Sequence, residues 1–515
     1  MDSSITISDF QYPFTEGIPI ILDETGENTY YLNERNPEFI SDGKINQVML
    51  DGALGIPLGS YFLPNLLPKS TEGDSIQNHS QIYYRKGDYD YSDLGIGLQI
   101  ESSDSGLFSF QGFKRSPPRL PYGNTTDEDE LQNYLFSFER IMDNSSIGVD
   151  VLYHTENYNL PDYWENINRQ VESFHGGLWI EQNWGELTLN IQPAFQFSHI
   201  NWNTEATNLT VWNAVNSEYY LFKSISVIFD YHYKMITTEN DNRTTETSSQ
   251  IFSPAIRYKN DTRSFQVGIT YLGRSITPVG MLSWRFNNFY LSVERNYNFV
   301  FTSIPNYETE LVQSSTNAFS IGYIHKQIHG NIEFFQSQTD FSYYKYKPYS
   351  MLIINPVIND ADMYLGVIGK VDLDLSWLRL THSFGIYNLN ESHSQPLDMF
   401  SHTTLIYSPN VGIWRNLRYQ PFIGAEAIHM HHPNILGIDL SHPVSHSPYV
   451  AEYPFSYYLL NMEIGFLVSR FKVSYRLANL NILNSLDPLG PDPIQPIRHP
   501  IQLIRHLEVV WQFWN

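Results

Sequence analysis

The chain ends with residues 503–515, LIRHLEVVWQFWN, in which polar and apolar side chains alternate. Successive side chains of an extended strand point to opposite faces. His506, Glu508 and Gln512 therefore share one face of a predicted closing strand. The opposite face is apolar and aromatic and carries Leu507, Val509, Trp511 and Phe513. A strand that ends a soluble sandwich has the same pattern, so the fold depends on whether the rest of the chain repeats it.

The alternation is repeated along most of the chain. From about residue 80 it recurs in stretches of roughly 9 to 14 residues, the length that a tilted strand needs to cross a bilayer. The clearest stretch, residues 187–198, places Phe195 and Phe197 opposite Gln196. Further stretches with this alternation are residues 225–233, 264–271 and 471–477.

Short and long links alternate between these stretches, as they do in an up-and-down membrane barrel. The short links are residues 469, 409–412, 327–331, 287–288, 260–262, 183–186, 143–145 and 103–106. The long links are residues 484–500, 431–452, 390–401, 339–360, 297–314, 234–248, 157–173 and 115–130. One exception is residues 273–278, a short link where a long one is due. The pattern predicts an all-β fold, a transmembrane antiparallel up-and-down β-barrel of about 22 strands (range 18–24) with short periplasmic turns and long extracellular loops.

Composition is consistent with this architecture. Of the 515 residues 17% are charged and 15% aromatic, whereas ordinary globular proteins have about 25% charged residues. No run of about 18 apolar residues is present, which excludes a transmembrane helix. A soluble propeller should show a repeat of roughly 40 to 50 residues, and the sequence shows none. Only a closed barrel satisfies every backbone polar group inside a bilayer.

Charge and cysteine content exclude several classes of function. A net charge of −24 without a concentrated basic patch argues against a nucleic-acid partner. The chain has no cysteine, so disulfides, thiol catalysis and cysteine-bound metals are excluded, and we expect no cofactor. Residues 1–30 lack the features of a signal peptide. Either the chain is cytosolic, or the sequence starts at the mature end of the protein. Because the strand pattern predicts a membrane barrel, we expect the second, a protein of the bacterial outer membrane whose signal peptide is absent from this sequence.

The sequence predicts two regions. Residues 1–78 are rich in Pro, Gly, Asp and Asn, and we expect an irregular N-terminal segment there. Residues 79–515 carry the alternating stretches and are predicted to form the barrel.

The C-terminal segment, residues 471–513, resembles the terminal hairpin of TonB-dependent receptor-like outer-membrane barrels and of the related plugless porins. The resemblance rests on VSYRLANLN (473–481), a Pro/Gly-rich loop, and RHPIQLIRHLEVVWQFW (498–514). It implies contact with outer-membrane lipid and recognition of a C-terminal aromatic by the barrel assembly machinery. The chain departs from the pattern because Asn515 is last, after Phe513 and Trp514.

A second segment, residues 47–68 (QVMLDGALGIPLGSYFLPNLLP), is similar to the middle of a receptor plug domain, and an ordinary glycine-containing turn fits it equally well. Residues 1–78 are thus a candidate truncated plug remnant. Residues 5–7 are short and apolar, as a TonB-binding box is, but such tripeptides are common. Without a full plug, passive diffusion or a partly plugged channel is favoured over energised uptake.

The alternation also predicts which charged side chains face the lumen. These candidates are Glu139, Asp150, Glu181, Asp230, Arg257, Glu294, Lys472, Arg476 and Glu508. Acidic residues predominate, which favours cations or neutral solutes in the pore, although such charges also simply solvate and brace a barrel wall.

Two candidate chemical sites are weaker. His429, His431 and His432, with further histidines nearby, have loose spacing for a Zn or Cu site, and a solvated loop explains them as well. Ser146, Asp150 and His154 share a strand face, but their spacing of about 13 Å is too long for a hydrogen-bonded relay. We therefore expect that the protein is not an enzyme.

The predicted function is an outer-membrane transport barrel, porin-like or receptor-like, that passes or binds small solutes. In that case TonB is the candidate energising partner. The alternative is a structural or surface-binding barrel, an adhesin or the membrane partner of a surface lipoprotein, that acts through its extracellular loops.

Overall fold

The computed structural model describes twenty-two segments of the chain. They are residues 18–22, 29–33, 36–40, 79–88, 92–101, 106–116, 130–159, 168–202, 204–240, 243–272, 275–302, 310–340, 342–347, 353–358, 362–389, 399–409, 412–414, 417–432, 455–468, 471–478, 480 and 504–514. No helix within these segments is long and apolar enough to span a membrane.

The described segments consist almost wholly of β-strands. In chain order they are β1 (Ile18–Leu22), β2 (Thr29–Asn33), β3 (Asn36–Ile40), β4 (His79–Gly87), β5 (Ser92–Glu101), β6 (Gly106–Ser116), β7 (Glu130–Met142), β8 (Ser145–Asn159), β9 (Asn168–Trp184), β10 (Leu187–Trp202), β11 (Thr204–Phe222), β12 (Ile225–Asn240), β13 (Arg243–Lys259), β14 (Arg263–Leu272), β15 (Ser275–Phe286), β16 (Phe289–Thr302), β17 (Glu310–His325), β18 (Ile328–Asp340), β19 (Ser342–Lys347), β20 (Ile353–Ile358), β21 (Asp362–Leu375), β22 (Leu378–Leu389), β23 (Met399–Tyr407), β24 (Gly412–Trp414), β25 (Leu417–His432), β26 (Phe455–Val468), β27 (Phe471–Ala478) and β28 (Ile504–Trp514).

One closed antiparallel barrel contains β4 to β18 and β21 to β28. Most of its strands pair with the preceding and following strand of the chain, while β18 pairs with β21 and β28 pairs with β4. The short strand β24 and strand β23 both pair with β25 and share one position in the wall, so the barrel has 22 strands. The predicted fold class and strand number are therefore confirmed. Strands β1, β2 and β3 form a separate three-stranded sheet, and β19 pairs with β20 between β18 and β21.

Where the side chains are described, the barrel strands have one apolar, exposed face and one face that is less exposed. In β26, Leu460, Met462 and Ile464 are exposed, whereas Asn461 and Glu463 between them are buried. This is the period-two pattern of the sequence. In a closed single-layer sheet the two faces are the outside and the inside of the barrel, so large apolar residues cover the outside.

Both ends of the described barrel wall lie at its short-turn end. Strand β4 starts there at His79, which pairs with Trp514 at the end of β28. The turns at this end include residues 143–144, 185–186, 260–262 and 287–288, as predicted. Gly185 has a φ of 61°, a left-handed conformation that glycine adopts without steric cost.

Several predicted boundaries were wrong. Residues 234–248, predicted as a long link, mostly belong to β12 and β13, which are separated by residues 241–242 alone. Residue 203 alone separates β10 from β11. The turns at residues 223–224 and 376–377 were not predicted. The two errors in strand length share one cause: threonine-rich and asparagine-rich segments have a polar composition typical of loops, but cross-strand pairing extends them as strands.

The barrel closes where β28 pairs with β4, a pairing that we call the seam. Its register runs from His506 opposite Gly87 to Trp514 opposite His79. Above it the Asp88 amide donates to the Arg505 carbonyl at 3.0 Å. The Arg505 guanidinium donates to both carboxylate oxygens of Asp88, at 2.8 and 3.2 Å. This bidentate pair, the Arg505–Asp88 clasp, marks the end of the seam.

Gly95 of β5 is required by a close approach from β4. A Cβ atom at this position would lie 2.1 Å from Cε1 of Tyr83, a side chain that is only 2% exposed. We expect Gly95→Ala to destabilise the barrel by about 1–3 kcal/mol, because Tyr83 must leave its position. Gly330→Ala is the matched control, since its nearest neighbour would be the Lys370 carbonyl oxygen at 3.4 Å. Urea unfolding in detergent–lipid micelles measures both, and equal midpoints would contradict the prediction.

Candidate functional site

A continuous set of buried charged side chains crosses the seam on the inner face of the barrel. We call it the seam network. Its members lie on β23, β25, β26, β27, β28, β4 and β5 and are His402, Glu426, Glu463, Lys472, Arg476, Glu508, Arg85 and Asp93.

Lys472 is at the centre of the network. Its Nζ lies 2.6 Å from Oε1 of Glu508 on β28 and 2.8 Å from Oε1 of Glu463 on β26. All three side chains are at most 8% exposed. The ammonium therefore compensates two carboxylates that water does not reach, and buried ions are stable only when paired in this way.

Arg85 continues the network across the seam. Its Nε donates to Oε2 of Glu508 at 2.5 Å, and its Nη1 donates to Oδ2 of Asp93 at 3.3 Å. The Tyr83 hydroxyl donates to the other oxygen of Asp93 at 2.9 Å. One arginine thus connects the last barrel strand to the first two.

Glu426 organises the other side of the network. His402 Nε2 lies 2.8 Å from its Oε1, while Asn461 and Arg476 donate to its Oε2 at 2.9 and 3.4 Å. Arg476 is in turn directly opposite Glu463 in the pairing of β26 with β27. The two halves of the network therefore meet between these strands.

An apolar cluster lies next to the network on the same face of the wall. It consists of Phe422, Leu467, Val510, Tyr83, Phe113, Leu135 and Leu152. Lys472 Nζ lies 5.5 Å from the centroid of the Phe422 ring, and Arg85 lies 5.0 Å from that of Tyr83. Cations gain electrostatic stabilisation over aromatic faces, so the cluster supports the charges as well as surrounding them.

The inner face on strands β7 to β13 is different, because its charged side chains are partly exposed. Arg257 Nη1 lies 3.3 Å from Oε2 of Glu218, and Asn216 donates to Asp230. This sector also carries Glu139, Asp150 and Glu181, each partly exposed. It is the more acidic and more hydrated part of the wall.

The predicted lumen residues all lie on the strand face opposite the exposed apolar one. Lys472, Arg476 and Glu508 are brought together in the seam network, whereas Arg257 pairs with Glu218 of β11 and Asp230 accepts from Asn216 of the same strand. The structure does not bring Glu294 into either group. That these residues border a solute pathway stays a prediction.

Sequence reasoning missed Arg85, Asp93, Glu426, Glu463 and His402. Glu426 lies within GAEAIH and Glu463 within NMEIGF, so each is a charged residue at an inner position of a largely apolar strand. That is a usable signal, because a lone charge on such a face needs a partner. The partner itself is set by strands far apart in the chain, which alternation alone does not identify.

The closing strand has the predicted division of faces. Leu507 and Trp511 are 49% and 42% exposed, and His506 and Glu508 are buried. Val509 is half-buried, and the side chains of Gln512 and Phe513 lie outside the described part of the chain. Contact of this face with lipid stays a prediction.

The histidine prediction is only partly described. His429, His431 and His432 fall within strand β25, which ends at His432, so they precede the loop in which they were expected. Of the three, only the side chain of His429 is described. No group of three or more potential ligands capable of holding a metal occurs among the described residues. The metal site stays a prediction.

Ser146 and Asp150 lie on β8, and the side chain of His154 is outside the described part. The residues with which Ser146 and Asp150 pair on the adjacent strands β7 and β9 are Ile141, Glu181, Ser137 and Gly177. None of these pairings supplies a histidine base.

No protein-family model matches the sequence, and no curated protein matches it. Solved structures do match the fold. The FrpB iron transporter from Neisseria meningitidis (F3-3 variant) is 9% identical, with a TM-score of 0.65 over 86% of this chain and 82% of FrpB. The ferric yersiniabactin uptake receptor FyuA from Yersinia pestis is 8% identical, with a TM-score of 0.60 over 86% of this chain and 81% of FyuA.

The alcaligin outer-membrane receptor FauA from Bordetella pertussis is 8% identical, with a TM-score of 0.57 over 85% of this chain and 76% of FauA. At such identities the similarity concerns the fold. The receptor part of the resemblance seen in the sequence is consistent with these matches, while its plugless part is not confirmed. The chain therefore has the 22-strand barrel fold of outer-membrane iron and siderophore receptors.

Proposed function

We propose that the protein is a receptor-like transport barrel of the bacterial outer membrane that binds small solutes and passes them inward. The observation that carries this proposal is the closed barrel whose exposed outer face is apolar while its inner face carries charge. Such a surface is stable around its whole circumference only in contact with lipid.

The buried seam network supports a receptor rather than a wide, open pore. Arg85, Asp93 and Lys472 are 5%, 0% and 6% exposed. Charged side chains on the wall of a water-filled channel would be hydrated. At this sector of the wall neighbouring side chains cover the charges, and the proposed barrel has an occluded lumen of the kind typical of 22-stranded outer-membrane transporters.

Ferric chelates are the solute class that we propose for this barrel. The support is that FrpB, FyuA and FauA are named for iron, ferric yersiniabactin and alcaligin. TonB as energising partner and the barrel assembly machinery as folding partner belong to the same proposal, as do the absence of catalysis and the truncated-plug interpretation of residues 1–78.

Planar bilayers and solute binding test the proposal together. We expect the purified protein to produce no persistent large conductance, because the lumen of a receptor of this size is plugged. We also expect ferric siderophores to quench its tryptophan fluorescence saturably, whereas the iron-free forms quench it less. Liposome swelling with sugars of graded size provides the control for passive permeation. Size-dependent sugar entry without siderophore binding would replace the receptor by a porin. If the protein neither binds siderophores nor lets sugars pass, the surface-binding alternative remains.

A further inference from the structure

Alternation determines which side chains of β28 and β4 point outward at the seam. The apolar side chains on the outer side do not determine the register in which the two strands pair. In the observed pairing Val509 lies opposite Tyr84, and Trp511 lies opposite Ile82. A slip of two residues keeps every side chain on its face. Val509 would then lie opposite Ile82, another exposed apolar residue. Apolar patterning therefore permits the slipped closure as well as the observed one.

The side chains on the inner side of the seam distinguish the observed register from the slipped one. Glu508 lies directly opposite Arg85 and accepts its hydrogen bond at 2.5 Å. In the register slipped by two residues, Glu508 would face Tyr83 instead, and Arg85 would face His506. A slip in the opposite direction would place Glu508 against Gly87. Either slip separates two buried opposite charges, which is strongly unfavourable.

Lys472 binds Glu508 from β27, which positions the closing strand against β27 and not against β4. One further contact holds the register of β28 with β4. The Arg505–Asp88 clasp joins the ends of the two paired strands. A slip of two residues would break the clasp as well. The ionic contacts thus agree on one register.

We propose that the seam network sets the register in which the closing strand β28 pairs with β4. The proposal goes beyond the transport function. It explains why β28 pairs with β4 in one register although the apolar outer face also permits a register slipped by two residues. The network acts as a specificity device whose contribution is the exclusion of slipped barrels.

Disulfide trapping measures the register directly, because the chain contains no cysteine. Tyr84→Cys with Val509→Cys reports the observed register. Ile82→Cys with Val509→Cys and Lys86→Cys with Val509→Cys report the two slips. Cysteines cross-link efficiently only when their Cα atoms lie within about 7 Å. Each cysteine pair is first introduced without any other substitution, and the protein is refolded into vesicles and oxidised. We expect only the pair at positions 84 and 509 to cross-link in the folded protein, which runs as a heat-modifiable band on a gel.

The test variant is Arg85→Gln with Glu508→Gln, which removes the ion pair and leaves two neutral polar side chains. Arg257→Gln with Glu218→Gln is the matched control, since it removes a cross-strand ion pair away from the seam. We expect the ratio of slipped to observed cross-links to rise at least about tenfold in the test variant and to stay unchanged in the control. A barrel that loses thermal stability but keeps only the observed cross-link would overturn the proposal.

A second variant moves the arginine rather than removing it. Tyr83→Arg with Arg85→Tyr places the guanidinium opposite Glu508 in the slipped register, so we expect the Ile82–Val509 positions to become the dominant cross-link. If the neutral variant yields no folded barrel, the variant with the moved arginine decides alone. Retention of the Tyr84–Val509 positions as its dominant cross-link would reject the proposal.

Discussion

Replacing Lys472 by methionine is expected to lower the free energy of unfolding by about 3–5 kcal/mol. Lys472 Nζ contacts Glu463 and Glu508 at 2.8 and 2.6 Å, and all three side chains are almost fully buried. Methionine keeps most of the side-chain volume but removes the charge. Two carboxylates would then remain buried without the ammonium between them, and their desolvation and mutual repulsion would oppose folding.

Lys370→Met is the matched control. Lys370 also lies on an inner strand face and near a carboxylate, with its Nζ 3.8 Å from Oδ2 of Asp372, but its side chain is 50% exposed. Because water screens that pair, we expect its loss to cost less than about 1 kcal/mol. Urea titration in phosphatidylcholine vesicles compares the two variants.

A rescue distinguishes lost charge compensation from lost packing. Adding Glu463→Gln to Lys472→Met removes the carboxylate that has lost its ammonium and leaves Glu508 paired with Arg85, so part of the stability should return. A double variant no more stable than Lys472→Met would show that packing, and not charge, accounts for the loss.

The second large effect is expected on the outer face. Ile464 of β26 is 58% exposed and lies between Ile423 of β25 and Tyr475 of β27, which are 46% and 42% exposed. If this surface contacts lipid, Ile464→Lys places an ammonium in hydrocarbon and costs about 2–4 kcal/mol. On a water-exposed surface the same substitution would change stability by only about 0.5 kcal/mol.

Ser376→Lys is the control, since Ser376 lies exposed in the turn between β21 and β22. We expect it to leave the unfolding midpoint in vesicles unchanged. Ile464→Lys is expected to shift that midpoint to lower urea and to reduce the folded band in outer-membrane fractions. Equal midpoints for the two variants would mean that the apolar face does not meet lipid, and the membrane location would fail with it.

The closing strand shows how much of the structure can be predicted from the sequence. Alternation in residues 503–515 was enough to separate buried His506 and Glu508 from exposed Leu507 and Trp511. Boundaries were less accurate where the composition was polar, as in residues 234–248. There the chain continues as strand because both neighbouring strands supply backbone partners. A single sequence does not show such partners, whereas it does show which face of a strand is apolar.

The contacts of the seam network could not be predicted from the sequence. Arg85 and Glu508 are separated by 423 positions in the chain, and Lys472 and Glu508 by 36. The sequence placed Lys472 and Glu508 on an inner face but gave no reason to join them to Arg85 or Asp93. Those contacts exist only because β28 closes against β4.

By itself, therefore, the sequence determined the strands, their inner and outer faces and their approximate number, because period-two alternation and turn residues are local properties of the chain. Only the tertiary structure decided which charges meet. Closure of the barrel places the last strand beside the first, and the register of that pairing brings Glu508 to Arg85. Local periodicity defines the direction in which a side chain points, whereas its partner depends on pairing across the sheet.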